Sequence, residues 1–211
     1  MKDYKTENII NFSLVGHAAT GKTILSEAML FNAGVINRMG TIENGNTVSD
    51  YQEHEKEGQH SVSLSLMNLD WKEKKINILD APGYLDFQGE AIGALKVSDF
   101  AVIMVSAVNG VEVGTELVWE MANENNLSKA IIINMLDRDN ANFENVLSML
   151  QARYGKKVFP LMIPINHGEN FNEIGDVLRK VIFNYQTDGS GKYTETTADG
   201  DMNDRLQTLH S

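Results

Sequence analysis

Cysteine is absent from the 211 residues, which excludes disulfide cross-links and every cysteine-ligated zinc or iron–sulfur centre. Three prolines are too few for a proline-rich linker. No apolar run approaches the roughly 18–20 residues of a membrane-spanning helix, and the opening MKDYKTENIINF lacks the apolar core of a secretory signal. A cytoplasmic location without membrane contact is therefore expected. Positive charge is also scarce: 18 Lys and Arg against 29 Asp and Glu leave a net charge of −11. That balance argues against direct contact between this chain and a nucleic-acid backbone.

What is present suffices for a globular fold. Hydrophobic residues make up 42% of the chain, enough to bury a core. At roughly 150 residues per domain the length predicts about 1.4 domains. Asn8–Val15 (NIINFSLV) reads as a buried strand ending at Gly16. Lys22–Phe31 carries apolar residues at helical spacing, with Gly34 placed for a C-cap. Ser61–Leu66 (SVSLSL) alternates polar and apolar residues, and the charged WKEKK link into Ile76–Leu79 suggests an antiparallel hairpin.

Further on, the apolar runs Phe100–Val105, Ala130–Ile133 and Val158–Ile165 read as strands. Helical patterns lie around Glu90–Lys96, Glu116–Asn123, Phe143–Arg153 and Ile174–Phe183. Alternating strands and helices imply an α/β fold with a mostly parallel sheet covered on both faces. Pro160 and Pro164 place the last of these strands at an edge. Gln186–Asp201 carries no aliphatic side chain larger than alanine and reads as a loop or tail.

Three motifs carry chemistry. Gly16–Thr23 (GHAATGKT) matches G-x-x-x-x-G-K-[ST] between a strand and a helix. Glycine lets the backbone of Gly16, His17, Ala18, Ala19, Thr20 and Gly21 curl its N–H groups toward phosphates, and the helix N-terminus adds its positive end. Lys22 supplies a cation to the β and γ phosphates, and Thr23 a hydroxyl to Mg²⁺. A chance match in a chain of this length has a probability of about 0.01. His17 lies within the loop, yet a histidine there packs against the sheet as readily as it touches a ligand, and packing is favoured.

The second motif is INILDAPG, in which a buried strand delivers Asp80 to its C-terminal end, followed by Ala81, Pro82 and Gly83. Asp80 is placed to hold Mg²⁺ through a water, and the Gly83 N–H to face a γ phosphate and follow it when it leaves. Alone this pattern is weak; after a phosphate loop and at a strand end it is strong. The third motif, AIIINMLD, ends a strand in Asn134, Met135 and Asp137. A carboxylate at Asp137 accepting two N–H bonds selects guanine over adenine. Asn134 would tie the segment to the phosphate loop, and Met135, in place of the lysine of the usual N-K-x-D, can cover a purine face. The plainer reading makes Asp137 the N-cap of the following helix.

In order and spacing the three motifs resemble those of translational GTPases, in particular the elongation factor G-like proteins. The blocks GNTVSDY (Gly45–Tyr51), GVEVGTE (Gly110–Glu116), DRDNANF (Asp137–Phe143) and PINHGENF (Pro164–Phe171) are similar too, so the resemblance runs to about Phe183. It implies a P-loop NTPase of Ras-like topology, with GTP or GDP and Mg²⁺ as ligands and the ribosome as partner through other domains. A monomer is expected. The resemblance also implies that Asp50–Val62 is the first switch, with Ser61 standing where the family has a Mg²⁺-binding threonine.

One departure bears on mechanism. The family's D-T-P-G-H places a histidine after the glycine to position the attacking water, whereas this chain has Tyr84. A phenol with a pKa near 10 brings no positive charge to the transition state and orients water only as a neutral group. Hydrolysis is expected to be slow or strictly ribosome-dependent, with Lys22 and Tyr84 as the catalytic residues; His60 is a candidate stand-in, although a histidine in a loop is more often simply solvated. Two other readings stay open: a guanine-nucleotide-binding module that does not hydrolyse, and an ATP-using P-loop enzyme such as a kinase. The domain reading is 1–185 as a GTP-binding domain lacking its final guanine-contacting strand and loop, and 186–211 as a polar tail at the start of an inserted subdomain. On that reading the chain is an N-terminal fragment of a longer factor and binds nucleotide weakly.

Overall fold

The computed structural model describes residues 3–155 and 157–210, which fall into two compact units. Residues 1, 2, 156 and 211, included in the expected divisions at 1–185 and 186–211, lie outside the described residues. The first unit takes the chain up to Val105 together with Glu112–Asn134; the second takes Ser106–Val111 and the chain from Met135 onward.

The first unit contains β1 (Ile9–Gly16), α1 (Lys22–Asn32), α2 (Glu53–Gly58), β2 (Ser65–Trp71), β3 (Lys74–Asp80), α3 (Gln88–Lys96), β4 (Phe100–Ser106), α4 (Val113–Glu124) and β5 (Ser128–Asn134). Its five-stranded sheet has the order β2-β3-β1-β4-β5. β1 is parallel to both β3 and β4, whereas β2 is antiparallel to β3. This is the Ras-like α/β arrangement expected from the alternation of strands and helices. Alternate residues of β1 serve opposite faces, as a strand period of two requires. Phe12 and Leu14 join Leu30 of α1 with Met67, Ile78, Val102 and Met104 in one apolar cluster. α3 and α4 pack on β1 and bury Ala91, Ala94, Leu95, Val118 and Ala122.

The hairpin differs in detail from its sequence reading. Ser61–Leu64 is loop, and the strand starts at Ser65; its alternating burial belongs to Ser65–Trp71. The WKEKK link contributes residues to both strands, and only Lys72 and Glu73 turn, both at positive φ (45° and 64°), the geometry of a tight two-residue hairpin.

The second unit contains α5 (Phe143–Tyr154), β6 (Met162–Pro164), β7 (Glu173–Asp176), β8 (Val181–Tyr185), β9 (Tyr193–Thr197) and α6 (Gly200–His210). Its sheet is antiparallel, in the order β6-β7-β8-β9. Ile163, Val177, Ala198 and Leu206 form its core.

Three sequence expectations are corrected here. Val158–Ile165 yields only a short strand, which is an edge strand but belongs to this second sheet rather than the parallel one. Ile174–Phe183 is not a helix but parts of two strands. Asp176 breaks it: its carboxylate accepts from the N–H groups of Leu178 (3.0 Å) and Arg179 (2.9 Å), and its carbonyl from Lys180 (2.9 Å), closing a turn. Gln186–Asp201 contains β9, built of tyrosine and threonine, which favour strands without supplying aliphatic side chains.

Candidate functional site

The parallel strands β1, β3 and β4 run in one direction and end at one edge of the first sheet, where Asn134 at the end of β5 also reaches the loop after β1. Gly16 closes β1, Asp80 closes β3 and Asn134 closes β5, which is where open α/β sheets bind ligands. Gly16 (φ 143°) cannot be replaced cheaply, because a Cβ there would lie 2.4 Å from the Met104 carbonyl oxygen. Gly21 takes the left-handed conformation (φ 91°) that starts α1 and turns the loop's N–H groups inward. Its missing Cβ leaves room for Asn134, whose Nδ2 donates to the Thr20 carbonyl at 3.0 Å. The tie between Asn134 and the phosphate loop is thus formed as its sequence suggested.

Inside this loop Lys22 is buried, and its Nζ donates to the carbonyls of Gly16 (3.2 Å) and His17 (2.7 Å). Burial lowers its pKa to about 8, with the charge of Asp80 opposing the shift. Thr23 Oγ1 lies 3.3 Å from Asp80 Oδ2 and 3.4 Å from Ser61 Oγ. Burial raises Asp80 to about 7, while Lys22 pulls it down. The second oxygen of Asp80, Oδ1, is buried without a hydrogen-bond partner. A buried, half-satisfied carboxylate beside two hydroxyls is a set of hard oxygen donors suited to Mg²⁺. Among the described residues no three His, Asp or Glu side chains gather to hold a metal by themselves.

Gly83 closes the other side. A Cβ there would lie 2.4 Å from Lys22 Nζ and 2.7 Å from the Ala18 nitrogen, so only glycine fits against the loop. Ala81 is buried and donates its N–H to the Leu14 carbonyl (3.1 Å), pinning the DAPG turn to β1. Tyr84 is half exposed, and its ring stands edge-on to His60 with 4.9 Å between centroids.

His17 packs. A Cβ on Gly114 would lie 2.7 Å from its Nδ1, and its Nε2 is 3.5 Å from Glu112 at the start of α4. Met135 and Asp137 belong to the second unit. Met135 sits at positive φ (65°) with its sulfur accepting from Ser106 Oγ (3.7 Å), and Asp137 is exposed on the connection to α5. The plainer reading of Asp137 as a helix cap is corrected: the cap is Asn142, whose side chain accepts from the Asn145 N–H at 2.9 Å.

Carboxylates that the motifs do not include hold the segment between α1 and β2. Asp50 accepts from Ser61 Oγ at 2.7 Å, and burial raises its pKa. Glu27 of α1 is fully buried and accepts from the N–H groups of Gly40 (2.7 Å) and Val48 (2.5 Å). Glu55, also buried, accepts from Val62 (3.0 Å) and Ser63 (3.1 Å), and Glu90 of α3 accepts from Leu64 (2.8 Å). Only Glu27 left a mark in the sequence, as an acid one helical turn after Thr23 on the buried stripe of α1. A cleft of about 390 Å³ between α3 and α4 holds none of the motif residues.

Residues 7–200 match the family described as the elongation factor Tu GTP binding domain. The chain is 36% identical over 182 residues to an elongation factor G-like protein of Thermotoga maritima, covering 86% of this chain and 26% of that protein. It is 31% identical to elongation factor G of Mycoplasma pneumoniae, covering 97% of this chain and 30% of that one. A crystal structure of a Thermus thermophilus protein superposes with a TM-score of 0.89 at 33% identity, over 96% of this chain and 30% of that one. The chain thus spans between a quarter and a third of the length of these relatives. No helix among the described residues is long and apolar enough to cross a membrane. With a phosphate loop, an aspartate at the end of β3 and an Asn-x-x-Asp at the end of β5, on a sheet of this order, the chain belongs to the elongation factor Tu GTP-binding domain family.

Proposed function

We propose that this chain binds GTP with Mg²⁺ and turns it over slowly or only on the ribosome, as the nucleotide domain of a cytoplasmic elongation factor G-like protein. The observation that carries this reading is the convergence of Lys22, Thr23, Ser61, Gly83 and Asp80 with its unpartnered Oδ1. Thr23 and Ser61 would hold the ion directly and Asp80 through a water. Bound there, Mg²⁺ supplies charge neutralisation to the β and γ phosphates. The N–H groups of Gly16, His17, Ala18, Ala19, Thr20 and Gly21 cradle the phosphates, and Lys22 leaves the loop carbonyls to pair with phosphate oxygens. Ala81 and Pro82 hold the Gly83 N–H where the third phosphate ends. Asn134 braces the loop, Met135 covers the base and Asp137 selects guanine through its two N–H groups.

Tyr84 orients the attacking water by a neutral hydrogen bond, and removal of a positioning group of this kind commonly costs ~10²–10⁴-fold. The same substitution favours a second reading, a guanine-nucleotide sensor without turnover. One experiment separates them: GTP hydrolysis by the full-length protein that contains this chain and by its Tyr84→His variant, with and without ribosomes. Slow native turnover raised at least tenfold by Tyr84→His is expected; equal, fast rates in both would end the attenuated reading, and no turnover in either under any condition would favour the sensor. Competition binding with ATP checks the base: Asp137→Asn should weaken GTP but leave ATP unchanged.

A further inference from the structure

Tyr84 does not stand alone. We propose that His60 is its positioning residue, so that the two rings together take the place of the single histidine in the D-T-P-G-H pattern. This deepens the GTPase reading of the same site and rests on it.

The argument starts with the backbone. α2 ends at Gln59 in the left-handed conformation (φ 53°), which turns the chain back, and the His60 N–H donates to the Glu55 carbonyl at 3.2 Å. On the other side of His60, the N–H groups of Val62 and Ser63 are held by the buried Glu55 carboxylate. A single glutamate thus fixes the chain before and after His60. The imidazole is fixed as well: Nδ1 lies 2.8 Å from the Gly58 carbonyl. A carbonyl only accepts, so Nδ1 carries the proton and the ring cannot rotate without losing that bond. Gly58 permits this, since a Cβ there would sit 2.7 Å from the imidazole Cε1.

The ring so anchored meets Tyr84 edge to face at 4.9 Å and lies nearly parallel to Phe87 at 6.4 Å. Its chain neighbour Ser61 reaches Thr23, and the chain neighbour of Tyr84 is Gly83, packed on Lys22. His60 and Tyr84 therefore bring the loop before Ser61 into contact with the loop after Gly83, directly beside the groups placed around the third phosphate. A half-exposed tyrosine samples several rotamers; packing its ring against a fixed imidazole selects one. An edge-to-face pair of this kind changes a rate by roughly 3- to 10-fold when its geometry matters to the reacting state.

The test is single-turnover and steady-state GTP hydrolysis by the full-length protein that contains this chain, in native form and as His60→Ala, His60→Phe, Tyr84→Ala and the His60→Ala/Tyr84→Ala double variant, with and without ribosomes. GDP affinity, measured on each, checks that the site is folded. The expected result is a kcat about 10-fold lower in His60→Ala, with KM and GDP affinity within about twofold of native. His60→Phe keeps a ring against Tyr84 and should recover at least about a third of the native kcat. In the Tyr84→Ala background, His60→Ala should add less than about twofold. An unchanged kcat in His60→Ala, a loss that appears in KM alone, a His60→Phe no better than His60→Ala, or the same fold-loss in both backgrounds each overturns the proposal. A native chain that turns GTP over while His60→Ala matches it sinks this inference alone; a native chain that binds no guanine nucleotide sinks the GTPase reading and this with it.

Discussion

At the scale of single residues, the site is organised around two buried charges of opposite sign, Lys22 and Asp80. Asp80 titrates near 7 in the fold against an unperturbed 3.8, because burial disfavours the carboxylate more than Lys22 favours it. A raised folded pKa means that the associated stability is fully present below about 4 and lost as pH rises through about 7. Asp80→Asn should therefore stabilise the nucleotide-free chain by about 1–2 kcal/mol at pH 8 and not at pH 4, while weakening Mg-dependent GTP binding. Melting curves of both proteins at the two pH values check the sign. Lys22 behaves in the mirror sense: its pKa falls to about 8 from 10.5, so its stability term is present above about 10.5 and lost as pH falls through about 8. Gly83→Ala would push a methyl group into the Ala18 backbone and Lys22 Nζ. A loss of about 10- to 100-fold in nucleotide affinity, read by titration with a fluorescent GDP, is expected from that overlap.

At the scale of elements, the segment between α1 and β2 is held by side chains rather than by regular structure. Glu27 reaches from α1 to the N–H groups of Gly40 and Val48, and Glu55 reaches from α2 to those of Val62 and Ser63. Glu27→Ala leaves two buried or half-buried donors unpaired and should cost about 2–4 kcal/mol, with faster amide exchange at Gly40 and Val48 as its local signature. Which N–H groups these carboxylates serve was not legible beforehand, because a carboxylate in a helix says nothing about which distant N–H it accepts from. The same holds in the second unit. The apolar spacing of Ile174–Phe183 fits a helix until Asp176 is seen to close a turn across it. Asp176→Ala should loosen the β7–β8 hairpin and destabilise that unit by about 1–2 kcal/mol without altering nucleotide affinity. By contrast β1, α1, β4, α4, β5 and α5 were legible to within a few residues, each being a long apolar or strongly periodic run bounded by a cap or turn.

At the scale of the whole molecule, Gly16–Thr23, Ser61 and Asp80–Gly83 belong to the first unit, and the antiparallel sheet of β6–β9 to the second. Binding of GDP with Mg²⁺ should slow amide exchange at Gly16–Thr23, Asp50–Ser61 and Asp80–Tyr84 and leave β7–β9 unchanged, which exchange mass spectrometry resolves. Protection spread evenly over both sheets would contradict the placement of the site. The sequence by itself determined the glycine-rich loop after β1, the aspartate at the end of β3 and the Asn-x-x-Asp at the end of β5, because those motifs are residue types at fixed local spacing along a strand–loop–helix path. Tertiary structure alone decided the rest. It brought Ser61 to Thr23 and His60 to Tyr84, set Glu27 and Glu55 under the segment between α1 and β2, and sent Met162–Pro164 to a second sheet. Those outcomes depend on contacts between residues far apart in the chain, whose pairing is fixed by burial and hydrogen-bond satisfaction rather than by any local pattern.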